Sequence, residues 1–583
     1  MGSLYRSSSE PAIQDLKVSI NDSTLIFPSQ QPPDTPIFLS NIDQVLNFHV
    51  QTLHFFESNP DFPPEAAAER LKAALQKVME AYDFLAGRLR PNLQTGRLEI
   101  DPKPAGVGFV DASTEFLLAE VGDLVYPNPA FMQLIVQGLE KFDDQPLCVL
   151  QVTSFKCGGF AMGISTNHAL MDGISFKNLL ENLASQAFDD KPIPIAPCHD
   201  RRLLAARSPP QVTFPHPELL KLKTPIGQEE TPPIFDCKQE DLDFKIFTLT
   251  PSDITSLKSS AAASSSSKKI TGFNAVSALI WRCKALSRAD DTSRDRECTV
   301  LYAVDIRSRL RPPLPAAYCG NAVLTAYATA KCGELEDGPF GKAVDVVAEG
   351  AARMSDEYAR SAIDWGEVYK GFPNGEFLIS SWWRLGFDEV EYPWGKPKYS
   401  CPLVYHRKDI ILLFPEVGGV ESNGVNVLVA LPPKEMEKFQ SLFHKYLSAV
   451  SFPSPSKSAT KCGEGGEEHG GGGAVSFPSP SKSATKCGEG GEEHGGDDTE
   501  HHQAVSVPMK GTSLKQSLEK LRVSEKMNLK KLSEEEDGAE SDSSSDLFDL
   551  PNHELDFFSS SLPVYETNHM ESIRIGMPIS SAT

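Results

Sequence analysis

The chain has 583 residues, 40% of them hydrophobic, with a formal net charge of -23 and an isoelectric point of about 5.1. That length exceeds one ordinary domain and the apolar content can fill a large core. The acidic balance argues against a general binder of nucleic acid or anionic membranes, so an anionic substrate would need a local basic pocket. No run is long enough to span a bilayer, and the start MGSLYRSSSEPAIQDLKVSI has no apolar signal core, so a cytoplasmic protein is expected. Eleven cysteines run from Cys148 to Cys487 without a CxxC pair, the pattern of free thiols in a reducing compartment; neither a zinc site nor any other metal site is expected.

Residues 17–30 read as a strand closed by Pro28, and a Pro-rich connector leads to an apolar strand through Val50, Leu53, Phe55 and Phe56. Pro63-Pro64 opens a helix whose Leu71, Leu75, Val78 and Tyr82 share one face. Cys148–Phe155 and Phe160–Thr166 form two strands around the turn Lys156-Cys157-Gly158-Gly159. A Pro-rich crossover without periodicity occupies 196–235 and separates a first half, 1–195, from a second, 236–450. In the second half we expect a helix from Pro251, an amphipathic helix through Phe273, Val276, Leu279, Ile280 and Cys283, and a strand over Thr299–Val304. A long helix over 341–363, strands at 377–383, 410–414 and 425–431, and a closing helix over 433–449 complete it.

The most informative stretch is GGFAMGISTNHALMDGISF. An apolar strand ends at His168, Asp172 follows in an HxxxD, Gly173 breaks the chain, and Ile174, Phe176, Leu179, Leu180 and Leu183 continue with helical spacing. His168 thus sits on a strand–turn–helix corner, and an imidazole with an ordinary pKa of roughly 6.5 suits a general base near neutrality. The bare motif carries little information, because a second HxxxD, His494 to Asp498, lies in a Gly-rich segment.

From 451 to 583 the composition shifts to Gly, Ser, Pro and charge, and a 23-residue block at 449–471 recurs at 474–496. Neither copy has a face to bury, so disorder is expected. This tail reads either as a regulatory extension or as the product of a neighbouring gene joined to this one.

The HxxxD stretch, with LSNID (39–43), YDFLAGRLR (82–90), VDIRSRLRPPLP (304–315), YCGN (318–321) and WGKP (394–397) in that order, resembles the plant BAHD family of acyl-CoA-dependent acyltransferases over residues 15–450. Within it the chain looks most like the group that moves hydroxycinnamoyl groups such as feruloyl to ω-hydroxy fatty acids or fatty alcohols for cutin and suberin. The resemblance implies an α/β fold of the chloramphenicol acetyltransferase type: two similar mixed-sheet domains with a solvent channel between them, working as a monomer. It implies no cofactor, acyl-CoA being a co-substrate, and a long-chain hydroxyl acceptor as the other partner, with an amine acceptor as a minor alternative.

By the same resemblance His168 is the base that deprotonates the acceptor hydroxyl. Asp172 either partners His168 or, as the family implies, points away and pairs with Arg307 to brace the corner. The family's Asp-Phe-Gly-Trp-Gly motif corresponds here to Glu391-Tyr392-Pro393-Trp394-Gly395, with Glu391 expected to support the catalytic loop. The indole N–H of Trp394 is a candidate oxyanion donor, or the ring a structural aromatic. Proline in place of the first glycine loses an N–H and fixes φ, which leaves open an accessory, weakly catalytic member of the family. Lys268, Lys269 and Thr271 are candidate contacts for the CoA phosphates, or part of a solvated loop.

Overall fold

The computed structural model describes residues 5–6 and 13–451 apart from 31–34, 126–127, 137, 140–143, 190, 222–241, 268, 289–292, 370, 404–408 and 417–423. The chain divides into two units, and the described residues all belong to the first, Met1–Pro453 with Ser543–Thr583; the second, Ser454–Asp542, lies outside them, as does the repeated block beyond 451.

The strands used below are β1 (Ser19–Ile26), β2 (His49–Phe56), β3 (Val107–Thr114), β4 (Cys148–Phe155), β5 (Phe160–Asn167), β6 (Asp243–Leu249), β7 (Glu297–Asp305), β8 (Val323–Lys331), β9 (Phe377–Ser381), β10 (Tyr399–Pro402), β11 (Ile410–Pro415) and β12 (Val425–Leu431). One mixed sheet has the order β10-β2-β5-β4-β3-β1, and the other runs β6-β12-β11-β9-β7-β8 with Tyr5–Arg6 added beside β6. Only the β3–β4 pair of the first sheet is parallel; in the second, β7–β9 and β9–β11 are. The expected two mixed-sheet halves are therefore present, with one crossing that the sequence did not announce. β10 leaves the second half and pairs antiparallel with β2, Tyr399 opposite Phe55 and Pro402 opposite Thr52.

The helices are α1 (Asn41–Gln44), α2 (Pro64–Val78), α3 (Gly173–Ala187), α4 (Pro251–Ala262), α5 (Gly272–Ser287), α6 (Cys332–Asp337), α7 (Phe340–Ala352), α8 (Asp356–Val368) and α9 (Pro433–Ser451). α2 begins on Pro64, where a missing N–H costs nothing, and buries Leu71, Leu75 and Val78. The single helix expected over 341–363 is two. Ser355 caps α8 by accepting from the Tyr358 N–H, and the capped start interrupts an apolar spacing that otherwise runs on. α9 buries Met436, Phe439, Phe443 and Leu447. Its last residues are the first of the repeated block, and Val450 packs against the core.

The central β5 is buried along its whole length. At Gly163 a Cβ would lie 2.4 Å from the Leu134 carbonyl oxygen, so the segment crossing there tolerates no side chain. Of the crossover, Arg201–Leu204 is a short 3-10 helix and Leu219–Lys221 pairs with Gly371–Pro373 of the second half.

Candidate active site

β5 ends at Asn167, whose side chain accepts from the Ala169 N–H, and one 3-10 turn, His168–Leu170, follows. Asp172 then caps α3 by accepting from the Ser175 N–H at 3.0 Å. The corner expected from the sequence is thus built from two successive side-chain caps, and His168 lies between them, 5% exposed. Its backbone N–H donates to the Phe48 carbonyl at 2.7 Å, anchoring the turn to the segment before β2.

The imidazole is held through Nδ1, 3.1 Å from Asn321 Oδ1. The direction of this bond follows from the other contacts of Asn321. Its Nδ2 lies 2.8 Å from Asp43 Oδ1 and 2.8 Å from the His168 carbonyl oxygen, and both are acceptors. The amide nitrogen must face them, so the amide oxygen faces the ring, and an oxygen can only accept. Nδ1 therefore carries the proton, and the basic lone pair is on Nε2.

Asp172 does not partner this ring. Arg307 takes both its oxygens, Nη1 to Oδ2 at 2.9 Å and Nη2 to Oδ1 at 2.9 Å. Oδ2 also accepts from the Ala322 N–H at 2.9 Å. Burial pushes the Asp172 carboxyl up, but the guanidinium and the two N–H donors outweigh it and hold it below the ordinary 3.8. Burial works against the Arg307 charge too, yet Asp172 and Asp305 hold it above its ordinary value. Burial raises the Asp305 carboxyl, which shares the same cation at 3.0 Å. The pair ties the start of α3 to the end of β7, one half to the other.

A cavity with about 390 Å³ of empty space, part of it open to solvent, adjoins His168. Its walls are Val50 and Thr52 of β2, Thr166 of β5, the corner itself, Phe176 of α3, and Trp382, Leu385 and Phe387 from the segment after β9. Phe387 lies edge-on to Phe176 and Trp382 at 5.4 and 5.5 Å. Trp382 is 5% exposed, and among the described residues its indole N–H has no hydrogen-bond partner.

Trp394 lies elsewhere. It stacks on Tyr392 at 5.3 Å and packs edge-on to Phe56 and Phe160. Those two residues close the end of the β2–β5 pair opposite the Val50–Thr166 end that borders the cavity. Seven strand steps, roughly 23 Å, separate Phe160 from Asn167. Trp394 is therefore packed away from this cavity, and the tryptophan that lines it is Trp382. Glu391 is exposed, so the expected support of the catalytic loop does not come from it; Asp43, Arg201, Asn321 and Arg307 supply that support. Pro393 occupies the second position of a tight turn in which the Gly395 N–H donates to the Tyr392 carbonyl at 3.0 Å. Proline's fixed φ suits that position, and Gly395, at φ +113°, supplies the conformation an L side chain avoids. The Pro393 substitution is accommodated.

Thr271 is buried and caps α5 through the Asn274 N–H, Lys269 is exposed two residues before it, and Lys268 lies outside the described residues. His54 is a core histidine, its nitrogens 2.9 Å from Ser400 Oγ and 3.1 Å from Thr52 Oγ1. Among the described residues no helix is long and apolar enough to cross a membrane.

Two sheet-rich halves braced across their seam, with an oriented histidine beside a cavity, are the architecture of CoA-dependent acyltransferases, and comparison with known proteins agrees. A family model described as the Transferase family matches residues 16–446. The acyltransferase GLAUCE of Arabidopsis thaliana is 59% identical over 455 residues, covering 77% of this chain and 100% of that protein. Omega-hydroxypalmitate O-feruloyl transferase of the same plant is 33% identical over 438 residues, 73% of this chain and 93% of the relative. Among solved structures, vinorine synthase aligns with a TM-score of 0.58 at 24% identity, covering 73% of this chain and 98% of its own. F. graminearum TRI101, solved with coenzyme A and T-2 mycotoxin, aligns with a TM-score of 0.56 at 15% identity, covering 70% of this chain and 97% of that one. The chain belongs to the BAHD transferase family and is an acyltransferase.

Proposed function

We propose that this acyltransferase moves a hydroxycinnamoyl group of the feruloyl type from CoA to the hydroxyl of a fatty alcohol or an ω-hydroxy fatty acid, with His168 as general base. The observation that carries the reading is a single-tautomer histidine on the wall of an apolar cavity. Nε2 takes the hydroxyl proton as the oxygen attacks the thioester carbonyl carbon. The C–S bond then breaks, and the imidazolium returns the proton to the departing sulfur, giving ester and free CoA. A thiol of pKa about 8.5 leaves readily, so no acyl-enzyme is needed. Trp382, which lines the cavity and whose indole N–H has no hydrogen-bond partner among the described residues, is the candidate donor for the tetrahedral oxyanion. Lys269 sits beside the N-terminus of the 16-residue α5, where a cation and a helix dipole together favour a phosphate.

The acceptor class is supported by charge. Of the ionisable side chains bordering the cavity, His168 is needed for chemistry and Asp172 is neutralised by Arg307. A carboxylate or ammonium carried next to the reacting hydroxyl would be buried without a partner, which costs several kcal/mol. Each methylene buried there instead contributes about 0.8 kcal/mol. Fatty alcohols meet this condition, and so do ω-hydroxy fatty acids, whose carboxylate lies a chain length away. Relatives named as a shikimate O-hydroxycinnamoyltransferase and a putrescine hydroxycinnamoyltransferase show what the alternatives look like. The test is CoA release from feruloyl-CoA with a long-chain alcohol, an ω-hydroxy fatty acid, shikimate and putrescine in parallel. Turnover with the first two is expected; a preference for shikimate or putrescine would overturn the assignment.

A further inference from the structure

We infer that Asp43 and Arg201 are positioning residues for catalysis: with Asn321 they form a buried relay that selects the tautomer of His168. Neither touches the cavity, and this assignment rests on the reading of His168 as the base.

Asp43 is 0% exposed and belongs to the capping box of α1, where its Oδ2 accepts from the Ser40 N–H and Ser40 hydroxyl, each at 2.8 Å. Those bonds lock the carboxylate and leave Oδ1 for the other side of the seam. Oδ1 accepts from the Asn321 backbone N–H at 3.2 Å and from Asn321 Nδ2 at 2.8 Å. Arg201, 2% exposed, reaches the same oxygen from the crossover at 3.2 Å. Its guanidinium also donates to the carbonyls of Ala169, at 3.2 Å, and Leu170, the two residues directly after His168. One buried cation therefore clamps the turn that carries the histidine and compensates the carboxylate that orients its partner.

The relay works because a carboxylate cannot donate. Asp43 forces the Asn321 nitrogen toward itself, which forces the Asn321 oxygen toward the ring, which forces the ring proton onto Nδ1. A side chain able to donate at position 43 removes one of the two acceptors that hold the Asn321 nitrogen, the His168 carbonyl being the other. Asn321 can then turn over, present its nitrogen to the ring and make Nε2 the protonated atom, the wrong one for a base facing the acceptor. Asp172, the carboxylate nearer in sequence, does not exert this control, because Arg307 takes both its oxygens.

The test uses the full chain carrying Asp43→Asn, Asn321→Leu, and both together, read by steady-state kinetics and by the 15N ring signals of His168, assigned by difference with His168→Gln. A folded Asp43→Asn variant is expected to lose about tenfold or more in kcat with KM for acyl-CoA unchanged, and its His168 signals to report both tautomers. In the Asn321→Leu background the Asp43→Asn change should cost nothing more, because it acts through the missing amide. An unchanged tautomer and kcat in Asp43→Asn, or the same proportional loss with and without Asn321, would overturn the relay. Should Asp43→Asn not fold, Asn321→Leu alone is read: it removes the partner of Nδ1 and should give both tautomers with a lower kcat, and an unchanged tautomer would overturn the relay. The nitrogen signals are independent of turnover. A His168→Ala variant that keeps wild-type activity would overturn the base assignment while the tautomer data still decide the relay.

Discussion

Arg307 grips Asp172 with two bonds of 2.9 Å, and the same guanidinium donates to Ser175 Oγ, so the start of α3 is bolted to the end of β7. The aspartate of the HxxxD motif is thereby committed to architecture, and removing either partner leaves a buried charge alone. Arg307→Met and Asp172→Ala should each cost about 3–5 kcal/mol of stability, read from urea unfolding midpoints. The activity of whatever fraction remains folded should stay measurable. A fully stable Asp172→Ala with activity abolished would assign Asp172 to the chemistry instead.

Trp382 and Trp394 divide cleanly. Trp382→Phe keeps the ring against Phe387 and removes the N–H at the cavity; loss of one oxyanion donor lowers kcat by about 10²–10³-fold. Trp394→Phe should leave kcat near the wild-type value and lower the melting temperature, because Trp394 fills an aromatic box at the far end of β5. The reverse pattern in kinetics would return the oxyanion role to Trp394.

Pro393 provides a direct check on whether the altered motif weakens the enzyme. Pro393→Gly, which restores the residue type usual in the family, is expected to leave kcat within about twofold and to cost about 0.4–1 kcal/mol through the unfolded state. A large rise in kcat on this change would mean that the proline impairs catalysis.

Acid should destabilise the protein through His54. Burial pushes this imidazole down to about 3, while the unfolded chain titrates near 6.5. Between those values the unfolded state binds the extra proton, so stability falls as pH drops, by about 1.4 kcal/mol per pH unit at most. The urea midpoint should decline from pH 6.5 toward 4, and His54→Asn, compared by slope, should flatten the decline. A wild-type slope retained in the variant would place the sensitive group elsewhere.

The His168 corner was legible because it is local: an apolar run, a glycine and a helical spacing lie within some twenty residues, and caps at Asn167 and Asp172 follow from residue type. The partners of the corner were not. Asn321 and Asp43 are 278 positions apart, and only the packing of the two halves brings their side chains within 2.8 Å. LSNID and YCGN were visible as motifs, without any signal that one holds the other. The sequence pointed to Trp394 as donor because it stands in a recognisable motif, and Trp382 stands in none. The choice depends on where β9 ends, because Trp382 turns from the strand into the cavity wall. The break between α7 and α8 was hidden by Met354 and Tyr358, which keep the apolar rhythm across the Ser355 cap.

The central claim is that this chain turns over acyl-CoA through His168. The measurement is CoA release by the full-length protein and by His168→Ala, with feruloyl-CoA and a long-chain alcohol, alongside CoA binding and a melting curve for each. Release by the wild type, a fall of about 10²–10⁴-fold in the variant, and an unchanged fold are the predicted results. Equal release by both folded proteins would contradict the base assignment. No release by a wild type that binds CoA would contradict the proposed reaction and turn attention to an accessory role.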